Sequence, residues 1–372
     1  MRLEFSTAGR IVFGPGTVRE VAPAAREMGQ RALLVARRSA DLKAAGLEGV
    51  RFAVHGEPTV DLVRQGDQVA RDEGCDVVIA FGGGSAIDAG KAIAALLSNG
   101  GDPLDYLEVV GQGRPLTRPP APFIAVPTTA GTGSEVTRNA VLASPEHRVK
   151  ASMRGAHMLA RLAVVDPELS LDLPRALTAS TGLDALTQLI EPYVSIRANA
   201  MTDLYCVEGL RRVASALRPA WRDARNIAAR TDMAFASLLG GLALANAGLG
   251  AVHGFAAPLG GMFDAPHGAL CAALLPHAMR VNIRALPEGE ALRRYETVAR
   301  LLTGKSDATP EDGAAWVAAL CRDLEVPPLR SYGVRESDIG PLVEKAAKAS
   351  SMKANPVVLS HGQLEELLTR AI

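Results

Sequence analysis

The stretch "DVVIAFGGGSAIDAGKAIA" (76–94) decides the fold. Its apolar run, Val77 to Phe81, is too short for an ordinary helix, and three glycines and a serine follow it at once. Small and apolar residues at helical spacing come next. Such a run reads as a strand buried on both faces, the condition of a parallel strand covered by helices. The glycines let the backbone approach an anion, and the N–H groups opening the helix, with the Ser85 hydroxyl, can donate to a phosphate. GGGS also makes ordinary turns, and this segment is not the GxGxxG dinucleotide fingerprint.

The same rhythm extends in both directions. "RALLVA" (31–36) and "PFIAVPTT" (122–129) are further short apolar runs, alternating with helical patterns at 59–73 and 86–98. In an α/β sheet ligands bind beyond the C-terminal ends of the strands, so the exits after Phe81 and Pro127 belong to one mouth. The second exit opens into "PTTAGTGSEVTRNAV" (127–141), dense in hydroxyls and glycines. Alone it reads as a polar cap ahead of a helix; two such loops at one sheet edge point to a phosphate-bearing cofactor. After "LAVVDPELSLDLPRA" (162–176) the character changes to long helical stretches, as in "TDLYCVEGLRRVASALRPAW" (202–221) and "ESDIGPLVEKAAKASSM" (336–352). The expected organisation is an α/β nucleotide-binding domain with a parallel sheet over 1–170 and an all-α domain over 171–372.

A chain of 372 residues exceeds one ordinary core, in agreement with two domains. Its 40 basic and 40 acidic residues cancel, which removes the electrostatic case for nucleic acid or an anionic membrane and leaves a small-molecule role. The opening "MRLEFSTAGRIVFGPG" carries Glu4 and Arg10 where a secretory leader would be apolar, so the cytoplasm is expected. Cys75, Cys206, Cys271 and Cys321 lack CxxC spacing and read as reduced packing thiols. From Met233 to Phe263 there is no Asp, Glu, Lys or Arg. The segment's glycines, Asn246, His253 and Pro258 suit a buried helix running into a site loop better than a membrane span. Association of identical copies is left open by the sequence.

The helical half carries its own chemistry. "STGLDALTQLIEPYVS" (180–195) sets Asp184 and Gln188 one turn apart on a helix, a spacing that presents two side chains on one face. An amide is nonetheless a poor ligand for a transition metal. "HGFAAPLGGMFDAPHGALCAALLPHAMRVN" (253–282) contains His253 and His267. Either histidine alone would read as a hydrogen-bonded core residue. With Asp184 on a charge-poor helix, the three form a plausible open site for a divalent metal. His277 lies ten residues past His267 and is rotated by about 80° from its face on a common helix, which suits packing better than a proton relay.

These pieces together resemble the iron-containing (group III) alcohol dehydrogenases across nearly the whole chain. The resemblance is carried by "FGPG", "GGGSAIDAGKAIA", "PTTAGTGSEVT", "AVVDPELSLDLP", "TGLDALTQLIEPYVS", "HGFAAPLGG" and "PHGALCAALLP", in the family's order. It implies a dehydroquinate synthase-like architecture, with a divalent metal, Fe²⁺ or Zn²⁺, in the cleft between the domains. Asp184, His253 and His267 fall at the family's metal ligands and so at its catalytic centre, with Gln188 where a fourth ligand stands. Gly83, Gly84 and Ser85 fall where the family holds the pyrophosphate of NAD or NADP. Asp88, in the same segment, joins the cofactor-binding residues, as do Thr128, Thr129 and Thr132, and Lys150 falls where a family lysine reaches toward the cofactor ribose.

Three positions depart from the family pattern. Gln188 replaces a histidine, and Ala257 stands where many members carry a histidine for proton transfer or substrate contact. After the second strand, where NAD-preferring members often have an aspartate, this chain has Arg37, Arg38 and Ser39, which favours NADP(H). The expected activity is a metal-dependent NAD(P)-linked alcohol dehydrogenase, or aldehyde or ketone reductase, on a small alcohol or carbonyl. Two other readings compete: a maleylacetate reductase-like keto-acid reductase, suggested by "GGMFDAPHG", and a catalytically weakened nucleotide-binding homologue. Dehydroquinate synthases share the architecture, but the "TGLDALTQLIEPYVS" segment favours the dehydrogenase branch.

Overall fold

The structure, a computed structural model, describes residues 4–372. The chain divides into two compact units. One comprises Ser6–Thr129 and Gly133–Leu171; the other comprises Asp172–Ile372 together with Ala130–Thr132 and, among the described residues of the N-terminal segment, Glu4 and Phe5.

The first unit is α/β. Its strands are β1 (Ile11–Phe13), β2 (Ala32–Ala36), β3 (Val50–Ala53), β4 (Val77–Gly82), β5 (Phe123–Pro127), β6 (Asn139–Ser144), β7 (Val149–Arg154) and β8 (Leu162–Val165). Its helices are α1 (Val21–Met28), α2 (Val60–Asp72), α3 (Gly84–Asn99) and the single turn α4 (Pro103–Tyr106). Six strands form a parallel sheet in the order β1-β8-β5-β4-β2-β3. Strands β4 and β5 are buried at every position, which is why they read as unbroken apolar runs. Ala36 stands opposite Phe81, and Gly82 opposite Pro127, so β2, β4 and β5 end at one level. The winding reverses between β2 and β4, because β3 pairs on one side of β2 and β4 on the other. Crevices at such reversals are where α/β sheets take ligands.

The loop after β5 does not lead into a helix. It passes through a 3₁₀ turn at Ser134–Val136 into the antiparallel hairpin β6–β7. The cause is local: residues alternate between buried and partly exposed along β6, the period of a strand with one covered face. Lys91 of α3 anchors this hairpin, donating to Ser134 Oγ at 3.0 Å, Thr137 Oγ1 at 2.8 Å and the Asn139 carbonyl at 2.8 Å.

The second unit is helical: α5 (Arg175–Val194), α6 (Ala200–Arg222), α7 (Ile227–Ala247), α8 (Ala251–Met262), α9 (His267–Ala285), α10 (Glu290–Thr303), α11 (Pro310–Asp323), α12 (Ile339–Lys348) and α13 (His361–Ala371). Helix α5 is its axis, buried almost throughout from Thr178 to Val194. The charge-free stretch 233–263 is not one helix running into a loop. It breaks at Gly248, whose φ of 74° suits glycine, and resumes as α8, so that His253 stands in a helical first turn. In α7, 67% of the most apolar window is buried, as befits a core helix. The pattern at 336–352 also yields less helix than expected: α12 is flanked by 3₁₀ turns at Glu336–Asp338 and Ser351–Ala354.

Candidate active site

Three helices of the second unit bring four donor groups together. Asp184 comes from α5, His253 from α8, and His267 and Cys271 from the first turns of α9; one ligand atom from each lies within 4.8 Å of all the others. His253 Nε2 is 3.4 Å and His267 Nε2 is 3.9 Å from Asp184 Oδ1. Cys271 Sγ lies 3.9 Å from His253 Nε2 and 3.7 Å from His267 Nε2. The close approach of α9 to α5 depends on Gly268, where a Cβ would sit 2.4 Å from the Ser180 carbonyl oxygen and 3.4 Å from Asp184 Cβ.

His253 is held from behind. Glu191, two turns along α5 from Asp184, lies with Oε2 2.6 Å from His253 Nδ1 and accepts the Val252 N–H on Oε1 at 2.7 Å. The Ala251 N–H goes to Asn355 Oδ1 at 3.1 Å. Two buried side chains thus satisfy amides that the start of α8 leaves without intrahelical partners. A proton on Nδ1 given to Glu191 leaves the Nε2 lone pair facing Asp184 and Cys271, the arrangement that fixes a metal-binding imidazole.

The electrostatics are those of a cation site. Burial disfavours the charged form of His253, but Cys271, Glu191 and Asp184 outweigh it and hold the imidazolium well above the usual range. His267 is likewise opposed by burial and raised by Cys271 and Asp184, to about 9. Burial alone would raise Asp184; His267 and His253 bring it below the usual carboxylate range. Asp184 Oδ1 is nevertheless buried without a hydrogen-bond partner among the described residues. A carboxylate, two imidazole nitrogens and a sulfur with an orphaned anionic oxygen are a donor set that fits a divalent first-row metal.

Two members of this arrangement are not expected from the motifs: Cys271, without CxxC spacing, reads as a packing thiol, and Glu191 belongs to no ligand pattern. Their signal was present in the spacing: Cys271 is one helical turn beyond His267, and Glu191 is two turns beyond Asp184.

Gln188 is buried, and its Oε1 has no hydrogen-bond partner among the described residues. Ala257 stands one turn beyond His253 on α8. His277 shares α9 with His267 but lines a cavity of about 280 Å³ with Pro276, Arg280, Cys321 and Arg370. Burial, then Arg280 and Arg370, push its pKa down to about 4.

In the α/β unit the exits of β4 and β5 converge. The Thr128 N–H bonds the Gly82 carbonyl at 2.9 Å, and a Cβ at Gly83 would lie 3.3 Å from the Thr129 side chain. Gly84 and Ser85 open α3; the Ala86 and Ile87 N–H groups already bond the Gly83 carbonyl, at 3.0 and 3.2 Å, so the amides that helix geometry leaves for a phosphate are those of Gly84 and Ser85. Arg37, Arg38 and Ser39 are exposed immediately after β2. Asp88 is used within the protein: Ser134 Oγ donates to Oδ1 and the Val141 N–H to Oδ2 at 2.9 Å. Lys150 is 8% exposed and ion-paired with Glu57. Thr132 falls with the helical unit, whereas Thr128 and Thr129 belong to the α/β unit.

Comparison with known proteins agrees with this layout. Residues 8–167 match the iron-containing alcohol dehydrogenase domain, and residues 178–372 match the C-terminal domain of the Fe-containing alcohol dehydrogenase family. The chain is 36% identical to the 1,3-propanediol dehydrogenase of Citrobacter freundii over 96% of both chains. A crystal structure of a 1,3-propanediol oxidoreductase is similar at a TM-score of 0.91, with 35% identity and full coverage of both chains. The sulfoacetaldehyde reductase of Bifidobacterium kashiwanohense, solved with NAD⁺, gives a TM-score of 0.89 at 28% identity, covering 100% of this chain and 99% of the other. A unit built on a parallel sheet, a helical unit with an Asp-His-His cluster, and matches across both halves lead to one family: the chain belongs to the iron-containing alcohol dehydrogenases, oxidoreductases that interconvert alcohols and carbonyl compounds with NAD(P) and a divalent metal.

Proposed function

We propose that Asp184, His253 and His267 hold the divalent metal of an NAD(P)-linked alcohol dehydrogenase or carbonyl reductase, with Gln188 at the edge of the set. The observation that carries this is the orphaned Asp184 oxygen flanked by two imidazole nitrogens. Such a metal supplies Lewis acidity toward the alcohol or carbonyl oxygen. The protein's own part is to orient and to exclude water. Glu191 fixes His253, and Gly268 lets His267 close on Asp184. Ala257 cannot take a proton, so exchange with solvent would need water, a cofactor hydroxyl or another side chain.

Gly83, Gly84 and Ser85 at the start of α3, with Thr128 and Thr129 from the neighbouring exit, hold the dinucleotide phosphates. Lys150 and Asp88 brace this region through Glu57, Ser134 and Val141, and Thr132 completes the cofactor set carried over from the family. A keto-acid reductase would need a cationic clamp for its carboxylates, for which no group is assigned. A weakened nucleotide-binding homologue would have no use for a fully assembled donor set. The balance of 40 basic and 40 acidic residues gives no electrostatic case for a nucleic-acid or membrane partner, and the cytoplasm is the compartment proposed.

The test is to strip the protein with a chelator and follow NADPH and NADH oxidation over aldehydes, ketones and keto acids before and after adding Fe²⁺ or Zn²⁺. Activity should vanish and return with the metal, and His253→Ala or His267→Ala should abolish it. Gln188→His should retain metal longer, because imidazole binds late first-row ions more tightly than an amide oxygen. Full activity in the chelated enzyme, or intact metal content in His253→Ala, would remove the assignment.

A further inference from the structure

We infer that Cys271 is the fourth protein ligand of this site, binding as a thiolate and supplying the donor that Gln188 does not. The inference rests on the metal assignment above and adds to it a sulfur ligand. Its ground is the spacing of the donor atoms. With metal bonds of about 2.0–2.2 Å to nitrogen or oxygen and 2.3 Å to sulfur, the edges of a tetrahedron are about 3.6 Å between sulfur and nitrogen and 3.4 Å between oxygen and nitrogen. The observed separations are 3.9 and 3.7 Å from Cys271 Sγ to the two imidazole nitrogens, and 3.4 and 3.9 Å from Asp184 Oδ1 to the same nitrogens. Four of the six edges are thus near tetrahedral length, and the other two, between the imidazole nitrogens and between Cys271 and Asp184, lie within 4.8 Å.

The surroundings of Cys271 are not those of a packing thiol. It is fully buried, and its sulfur faces the Nε2 atoms of both histidines. It sits one turn beyond His267 on α9, so a single rigid helix presents nitrogen and sulfur to one point. Cys75 and Cys206 are also buried, but neither belongs to any cluster of potential ligands among the described residues. Coordination would remove the thiol proton to solvent and leave a sulfur–metal bond. A thiolate is soft, so the site should prefer Zn²⁺, Fe²⁺ or Co²⁺ over Mn²⁺ and Mg²⁺.

Cobalt substitution decides the matter without an activity measurement. The chelated full-length protein is reloaded with Co²⁺ under anaerobic conditions, and bound metal is counted alongside the absorption spectrum. Wild type should bind cobalt and show a near-ultraviolet thiolate-to-cobalt charge-transfer band. Cys271→Ser should still bind cobalt, lose that band, and release the ion with a dissociation constant raised about tenfold or more, a loss at least as large as that from removing an outer-sphere partner. Wild type fully loaded with cobalt but without the band would overturn the role of Cys271 and leave Asp184, His253 and His267 in place, as would a band that persists in Cys271→Ser. A wild type that takes up no cobalt would overturn the metal assignment and this inference together. If Cys271→Ser fails to fold, the wild-type spectrum still decides.

Discussion

Glu191 and His253 are joined at 2.6 Å inside the helical unit, and the same carboxylate accepts the Val252 N–H, so one side chain both caps α8 and orients its first functional residue. Replacing the charge while keeping the shape separates the two duties. Glu191→Gln should keep the cap but weaken the hold on the imidazole, lowering metal affinity by about 10- to 100-fold. Glu191→Ala should in addition destabilise the fold by about 1–3 kcal/mol, because it leaves a buried amide unpaired. Metal titration and thermal unfolding measure these effects; unchanged affinity in Glu191→Gln would reduce Glu191 to a cap.

Gly268 sets how closely α9 meets α5. An added methyl would overlap the Ser180 carbonyl, a backbone atom that cannot swing aside. Gly268→Ala should therefore cost about 1–3 kcal/mol of stability and push His267 from Asp184, with faster loss of metal. Gly340→Ala is the control: nothing lies within 4 Å of its added carbon, and alanine favours a helix. Equal unfolding temperatures and metal retention for the two variants would show that the approach is not tight.

Much of this architecture was legible in the chain because its signals are local. The glycine-rich exits, the buried runs of β4 and β5, and the pairing of Asp184 with two distant histidines are all short patterns. What stayed hidden depends on tertiary packing. That Cys271 faces imidazoles rather than apolar neighbours depends on how α9 is rotated against α8, which helical spacing alone does not set. The hairpin β6–β7 was read as a loop before a helix because its alternation is carried by small residues such as Ala140 and Ala143. Asp88 looked like a cofactor residue from its motif, yet its oxygens are committed to Ser134 and Val141.

The buried pair near the hairpin gives the stability a pH signature. Burial lowers Lys91 to about 8, opposed by Asp88 and Glu135, and burial raises Glu135 to about 7, opposed by Lys91. Between the ordinary glutamate range and pH 7 the folded chain holds a proton on Glu135 that the unfolded chain lacks, so this contribution falls as pH rises. Between pH 8 and the ordinary lysine range the unfolded chain holds the extra proton, so the contribution of Lys91 rises with pH. The two together are least favourable between pH 7 and 8. Unfolding temperatures of wild type minus those of Lys91→Met/Glu135→Gln should show that minimum; a flat difference would mean that neither group titrates in this way.

Cofactor choice turns on the end of β2. Ala36 is level with Phe81, so the strand delivers Arg37, Arg38 and Ser39 at the edge where the β4 glycines begin. The turn is held by the Ala40 N–H on the Arg37 carbonyl at 3.0 Å, and Arg51 donates to the Ala40 carbonyl at 2.7 Å, which brings a third guanidinium to the same turn. An aspartate here would accept hydrogen bonds from the ribose hydroxyls and repel a 2′-phosphate; arginine offers that phosphate charge-assisted donors. The enzyme should therefore use NADPH in preference to NADH. Arg37→Asp should shift the ratio of kcat/KM values toward NADH by about 10- to 100-fold, the loss of one hydrogen bond to a charged group. Steady-state kinetics with both cofactors at fixed ionic strength provide the comparison. A wild type that strongly prefers NADH, or a variant whose ratio does not move, would place both arginines in solvent and the selection of cofactor elsewhere.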